Sequence, residues 1–467
     1  MSRARVAGAL AVVSLLCAGV AVAVGGGGSP SPTAAARVGT PLWSARRFPQ
    51  TIVDAVGAGH LQHDLDGAVF GNDGCFSVTS DAGTIAQHAV DQPFVGASTQ
   101  KLLTATAALA VLGPDTTFTT RAVSAADPVK GAVDRLVLVG GGDPTLSTAP
   151  FRSFELADPK NSGVAYTPLE TLADAIVAKG VTRIGTLGVD DSRHETLRYL
   201  PVWPDSDRTD GQIGPLGALT VNRGFSAWTP KAVPVDDPAI FAGNQLAALL
   251  RARGVTVDGR VAHVKVPEKP VGLAEVTSAP VRDVVVGMIR SSDNLAAEGL
   301  VREIGLKVAK QGTTSAGTKA VLDTLAGLGV TTTGLNLLDG SGLSHEDRIT
   351  CQALTAVLDL GDRPEFAAVS AGLPVAAQTG TLADEFQGSS LAGILRGKTG
   401  FLSGVTGLVG LLDTAHPVRF AFVVDGNFGE TQAIRLRAQL AQVIARFPQS
   451  PGVDDLVPGP IPPIRPT

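Results

Sequence analysis

Residues 96–113 read GASTQKLLTATAALAVLG, a run with no helix breaker between Ser98 and Gly113. The pattern predicts a helix over residues 98–112, stopped by the pair Gly113-Pro114. Its polar residues gather at the start, in Ser98-Thr99-Gln100-Lys101. A three-residue spacing puts the Ser98 hydroxyl and the Lys101 ammonium on one helix face, within reach of each other. Backbone N–H groups and the dipole at a helix N-terminus favour a developing negative charge. A serine needs a base to become a nucleophile, and a desolvated lysine can supply one. The plainer reading makes Ser98 a helix N-cap and Lys101 a surface charge. A single S-x-x-K leaves both open.

Two further motifs decide between them. Ser292-Asp293-Asn294 falls in the polar break between two predicted helices, residues 281–289 and 295–304. Lys398-Thr399-Gly400 closes the first of three predicted antiparallel strands, residues 393–399, 406–412 and 419–424. Alone, the first could cap a helix and the second could be a surface turn. Together, in the order S-x-x-K, S-x-N, K-T-G, they form the set found in class A β-lactamases and penicillin-binding proteins. Competing signatures fail. No G-x-S-x-G is present, and a P-loop ending at Lys398-Thr399 would need its first glycine where Ala392 stands. His60 and His63 form an H-x-x-H without an apparent third ligand, better read as a wet helix face than as a metal site.

Composition agrees with an enzyme. The chain has 467 residues, 44% apolar and 17% charged, which suits a folded protein of more than one domain. Lys+Arg number 38 against 43 Asp+Glu, and aromatics are 4%. No basic excess is available for a phosphate backbone and few rings for stacking on bases, so a nucleic-acid partner is not expected.

The first residues point to export. Arg3 and Arg5 precede an uncharged apolar stretch, residues 6–24, followed by GGGGSPSP at residues 25–32. This is a signal peptide or a membrane anchor with a flexible tether, over residues 1–41, and it is the only expected membrane contact. Cys75 and Cys351 are the cysteines of the exported body. An oxidising compartment permits a bridge, but a separation of 276 positions leaves the geometry open. At the other end, seven prolines among residues 448–467 read as a solvated tail. Between them, periodicity predicts an α/β mixture with strands at both ends and helices between, which suggests one sheet assembled from distant parts of the chain.

The chain resembles the D-Ala-D-Ala carboxypeptidases/endopeptidases of serine peptidase family S13, the class C low-molecular-mass penicillin-binding proteins. Besides the three motifs, the resemblance rests on GASTQKLLTATAALAVLG itself, GGGDPTL at residues 140–146 and LDGSGLS at residues 338–344. It implies a transpeptidase-like domain with an antiparallel sheet flanked by helices, over residues 42–118 and 277–447. An accessory α/β domain is implied at residues 119–276, with room in the 190 residues between Lys101 and Ser292.

The resemblance also implies a mechanism on peptidoglycan stem peptides outside the cell membrane, with β-lactams as covalent inhibitors and no metal or organic cofactor. Ser98 attacks the D-Ala-D-Ala carbonyl, and Lys101 takes its proton. Desolvation and the like charge of Lys398 would keep Lys101 neutral. Ser292 relays a proton to the leaving amine, and Asn294 holds the substrate amide. Lys398, Thr399 and Gly400 line the opposite strand edge, and the backbone N–H groups of Ser98 and Phe401 form the oxyanion hole.

Three features depart from the family pattern. Phe401 replaces a hydroxyl residue that helps bind the substrate carboxylate. His345 stands where an arginine often follows S-G-L-S, in the pocket for the stem peptide's diamino acid. The segment after Asp191 is short for a second accessory domain. Asp191 itself is the expected acidic contact to that diamino acid, with a solvated turn as its plainer reading. A β-lactamase would use the same residues, but no E-x-x-L-N supplies its water-activating glutamate. Penicillin hydrolysis would reveal it, and absence of covalent labelling would reveal a non-catalytic wall-binding protein on the same fold.

Overall fold

The structure, a computed structural model, describes residues 50–69 and 71–449. The expected leader, and all of the proline-rich tail beyond its first two residues, lie outside them. In chain order the principal elements begin with helix α1 (Gln50–Val69), strands β1 (Asp73–Ser80) and β2 (Gly83–His88), and helix α2 (Lys101–Leu112). Strands β3 (Thr119–Ser124) and β4 (Ala132–Val139), helices α3 (Ala149–Ala157) and α4 (Leu169–Ala178), and strand β5 (Arg183–Asp190) follow. Then come helix α5 (Pro238–Ala252) and strands β6 (Thr256–Val257), β7 (Ala262–His263) and β8 (Val271–Thr277). Four helices run next: α6 (Val281–Ser291), α7 (Asn294–Ala309), α8 (Thr314–Gly327) and α9 (Cys351–Leu360). Strands β9 (Leu395–Leu402), β10 (Val405–Leu412) and β11 (Val418–Asp425) and helix α10 (Glu430–Ile444) close the described chain.

The first sheet has the order β9-β10-β11-β1-β2, all antiparallel. Its seam joins the two ends of the chain, with Cys75 opposite Val423 and Phe76 opposite Phe422. Successive side chains of a strand point to opposite faces, and here both faces are apolar. Phe76, Val78, Leu408, Phe420 and Phe422 pack towards Leu61 and Leu65 of α1 and Leu440 and Ile444 of α10. Cys75, Val409, Ala421 and Val423 pack with Leu102 and Leu103 of α2 and Leu354 of α9. Helix α2 is buried from Lys101 to Leu109, which fits a helix apolar all round. Gly113, at φ 89°, ends it. The mixed α/β class with a helix-flanked antiparallel sheet is therefore the observed architecture.

A second sheet, order β6-β5-β4-β3-β8, lies wholly between residues 119 and 277, with β7 also paired to β5. Strands β4 and β5 are parallel, while β3 and β8 are antiparallel additions. Leu136 and Leu138 of β4 and Ile184 and Leu187 of β5 pack with Leu172 and Ile176 of α4 and Leu246 and Leu250 of α5. That core is separate from those around the first sheet.

Cys75 of β1 and Cys351, the first residue of α9, form a disulfide with Cα atoms 5.9 Å apart. It ties the sheet seam to a helix 276 positions away. Closing so long a loop restricts the unfolded chain, and losing such a bridge typically costs about 2–5 kcal/mol. Cys351→Ala is accordingly expected to lower the urea midpoint of the oxidised protein, and reductant should lower the parent midpoint similarly. Equal midpoints for parent and variant would show that the bridge contributes nothing.

Candidate active site

Helix α2 does not begin at Ser98. A 3₁₀ turn over Ala97–Gln100 precedes it, and Ser98 makes no side-chain cap to it. Ala97 holds a left-handed φ of 46°, an uncommon conformation for a residue with a Cβ. Packing from the LDGSGLS segment meets it there. Gly342, itself at φ 77°, lies so close that a Cβ would come 2.0 Å from the Ala97 carbonyl oxygen. Turn and loop together present the Ser98 hydroxyl to an open cleft.

Lys101 is fully buried beneath it. Its Nζ donates to Ser98 Oγ (2.9 Å), Asn294 Oδ1 (2.6 Å) and the Ser341 carbonyl (2.6 Å). Burial pushes the Lys101 amine down to about 8, against the pull of Asp339, Glu298 and Asp293, which favour its charge. Lys398, also fully buried, donates to Ser292 Oγ (2.9 Å) and to the Thr399 carbonyl (2.7 Å). Its amine is held well below the usual lysine range by burial, then by the charges of Lys101 and Arg437. The like-charge effect expected on Lys101 therefore falls on Lys398. Acids surround Lys101 instead.

Those acids come from the LDGSGLS segment and α7. Asp339 accepts from Gln100 Nε2 (3.2 Å), Trp203 Nε1 (2.8 Å) and the backbone N–H of Gly342 (2.6 Å) and Ser344 (2.9 Å). Glu298 accepts from the N–H groups of Gly340 (2.9 Å) and Ser341 (2.8 Å). Burial and the Asp339 charge push its carboxyl up to about 8. These bonds aim the Ser341 carbonyl at Lys101. The sequence singled out this segment without assigning it a task.

Ser292 ends α6 in a left-handed conformation, φ 59°, and Asp293 caps α7 by accepting from the Ala296 N–H at 3.0 Å. The Ser-Asp-Asn motif is thus a hinge between two helices, as its polar break suggested. Asn294 Nδ2 donates to the Gln212 carbonyl at 2.8 Å, so both ends of its amide are engaged. Gly400 is glycine for close approach. A Cβ there would stand 2.8 Å from the Gly96 carbonyl oxygen and 3.0 Å from Thr99 Cγ2. Strand β9 can therefore lie directly against the turn that carries Ser98.

The cleft encloses about 570 Å³, the size of a small-molecule site. Ser98, Ser292, Asn294, Thr399, Phe401 and His345 line it, so the structure gathers these expected residues around one space. Phe401 is 37% exposed and stands in the cleft rather than packed beneath the following turn. Asp191 is not among the lining residues. It is buried, with Arg198 Nη2 2.7 Å from its carboxylate and His263 nearby, so its charge is already met. Asp207, Asp210 and Glu430 are the acids that line the cleft outside the motifs. Glu430 is the first residue of α10, while Asp207 lies in a short helical turn, Asp205–Thr209, and Asp210 just after it.

The model of the D-Ala-D-Ala carboxypeptidase 3 (S13) family matches residues 60–232 and 225–447. A carboxypeptidase of Mycobacterium tuberculosis is 34% identical over 346 residues, 71% of this chain and 71% of that protein. A D-alanyl-D-alanine carboxypeptidase of Actinomadura is 30% identical over 413 residues, covering 71% and 73%. Among solved structures, penicillin binding protein 4 of Haemophilus influenzae shares the fold with a TM-score of 0.69 at 21% identity, over 81% of this chain and 98% of that one.

Proposed function

The chain belongs to the D-Ala-D-Ala carboxypeptidase 3 (S13) family, and from that premise we propose how its residues cleave a D-Ala-D-Ala bond of peptidoglycan stem peptides. The protein is a serine-type carboxypeptidase/endopeptidase of this family. The carrying observation is a pair of buried lysines, each 2.9 Å from a cleft serine: Lys101 from Ser98 and Lys398 from Ser292. Ser98 Oγ attacks the scissile carbonyl while its proton passes to neutral Lys101 Nζ. Negative charge moves to the carbonyl oxygen, which the N–H groups of Ser98 and Phe401 receive. As the C–N bond breaks, Ser292, hydrogen-bonded to Lys398, passes its proton to the leaving amine and takes up the proton that Lys101 received from Ser98, which leaves Lys101 neutral again. Water attacks the resulting ester, giving its proton back through Lys101 and freeing Ser98.

Asn294 orients Lys101, and its second amide hydrogen remains for substrate. Thr399, Gly400 and Phe401 offer the strand edge along which an extended peptide can lie, and His345 faces the substrate from the opposite loop. Residues 42–118 and 277–447 make the catalytic body in this reading, with residues 119–276 as its insertion. Export to the outer face of the membrane is part of the proposal, supported by the Cys75–Cys351 bridge. β-Lactams should acylate Ser98, and intact mass after incubation with benzylpenicillin tests this. A persistent penicilloyl mass is the expected result, and an unmodified protein with no penicillin consumed would overturn the proposal.

Phe401 sets a second expectation. A hydroxyl there would add a hydrogen bond to the substrate's free carboxylate, worth roughly 1.5–3 kcal/mol. Phe401→Thr should raise kcat/KM on small D-Ala-D-Ala peptides about tenfold, since ~1.4 kcal/mol is one decade. Cross-linked substrates without that carboxylate should gain little. Equal losses on both substrates would show that the ring supports the cleft instead.

A further inference from the structure

We infer that the inserted segment completes the catalytic centre, with Arg223 as a positioning residue that holds the Ser-Asp-Asn hinge through Asp293. This rests on the reading of the site given above. Arg223 Nε lies 2.7 Å from Asp293 Oδ2, while the other carboxylate oxygen of Asp293 caps α7. Asp293 is therefore gripped on both sides, and its neighbours are Ser292 and Asn294. Arg223 is in turn fixed from behind. Its Nη1 lies 2.8 Å from Glu155 Oε2, which also accepts from the Tyr166 hydroxyl (3.2 Å) and Asn161 Nδ2 (3.2 Å).

The backbone shows how firmly this arginine is placed. Asn222, Arg223 and Gly224 have φ values of 55°, 53° and 78°, three successive left-handed residues. Two of them carry a Cβ, and such conformations persist only where the surroundings over-determine them. Asn222 is locked by Thr148, whose N–H donates to its Oδ1 at 2.8 Å. The Arg223 carbonyl packs against Gly214, where a Cβ would stand 2.0 Å from that oxygen. Gly214 closes the loop whose Gln212 carbonyl receives Asn294 Nδ2. One unit of the insertion thus reaches two motif residues, Asp293 through a charge and Asn294 through a carbonyl.

The consequence is measurable at Lys101. Asp339 and Glu298 face it and favour its charge, Asp293 adds to them, and the neighbouring Lys398 amine is itself held well below the usual lysine range by burial. Arg223 neutralises Asp293. Removing the guanidinium leaves that carboxylate uncompensated, so Lys101 should stay protonated to higher pH.

The test uses the second-order rate of acylation by a fluorescent penicillin, split into binding and acylation steps, across pH. Arg223→Met should slow the acylation step about tenfold or more, leave the binding step nearly unchanged, and move the acidic limb of the profile to higher pH. Asp293→Asn, which keeps a capping side chain, should move that limb to lower pH. In the double variant the second substitution should add less than twofold. If Arg223→Met does not fold, Arg223→Lys carries the test, with a smaller rate loss and no shift of the limb. Multiplicative losses in the double variant, or a Lys variant whose limb shifts, would overturn the positioning role. Failure of the parent protein to acylate at all would instead overturn the catalytic reading beneath it.

Discussion

Ser98→Ala is expected to take up no benzylpenicillin and to release no D-alanine from stem-peptide mimics, while folding as the parent does. The substitution removes one oxygen from the cleft wall. That oxygen accepts one of three hydrogen bonds from Lys101, and the bonds to Asn294 and the Ser341 carbonyl remain. The stability cost should stay within about 1–3 kcal/mol, the range for a lost buried partner. No other hydroxyl in the cleft shares Lys101. Ser292, the other motif serine, is bonded to Lys398. Loss of the nucleophile typically costs about six decades of kcat in serine hydrolases, which places the variant below detection. A penicilloyl adduct forming on Ser98→Ala at the parent rate would remove Ser98 from its role.

Much of this site is legible in sequence because each motif is local. Ser98 and Lys101 are neighbours in one helical turn, and Gly113-Pro114 marks where that helix ends. What the chain cannot show locally is what packs upon these residues. Ser98 reads equally as an N-cap until the 3₁₀ turn is seen, and that turn depends on Gly342 pressing on Ala97. The acids around Lys101 come from α7 and from the loop at residues 338–344, whereas the family resemblance offers only Lys398 as its charged neighbour.

The partner of Asp191 is hidden from the sequence for the same reason. Asp190-Asp191-Ser192 carries the chemistry of an acidic contact, yet Arg198, seven positions on, folds back and takes the charge. Helices α8 and α9 each start on a threonine cap, Thr313 and Thr350, but their interiors give weaker signals. Thr314–Gly327 holds threonines and glycines of low helix propensity, and burial of Ala320, Val321 and Leu325 in the main core stabilises it. The family resemblance supplies the sheet topology that periodicity could only suggest.

The second large effect is expected from Lys101→Ala, read against the pH profile of the parent. With its amine near 8, Lys101 is roughly one-tenth neutral at pH 7, one decade per pH unit below that value. A folded-state value below the ordinary lysine range means that the neutral form gains as pH rises. Acylation by benzylpenicillin should therefore climb from pH 6 towards pH 8 and level off above it. Lys101→Ala removes the proton acceptor from Ser98, and general-base contributions run to about 10²–10⁴-fold. The variant should lose that much rate at pH 8, and its profile should lose the acidic limb, because the group that titrates is gone. Lys398 cannot take over, since its amine is held by Ser292 and the Thr399 carbonyl. A Lys101→Ala protein that keeps the limb near pH 8 would assign the titration to another group, Glu298 first, since it too is pushed up to about 8. Glu298→Gln separates the two. It keeps an oxygen for the N–H groups of Gly340 and Ser341 and removes the other group that titrates near 8, so a limb that persists in this variant belongs to Lys101.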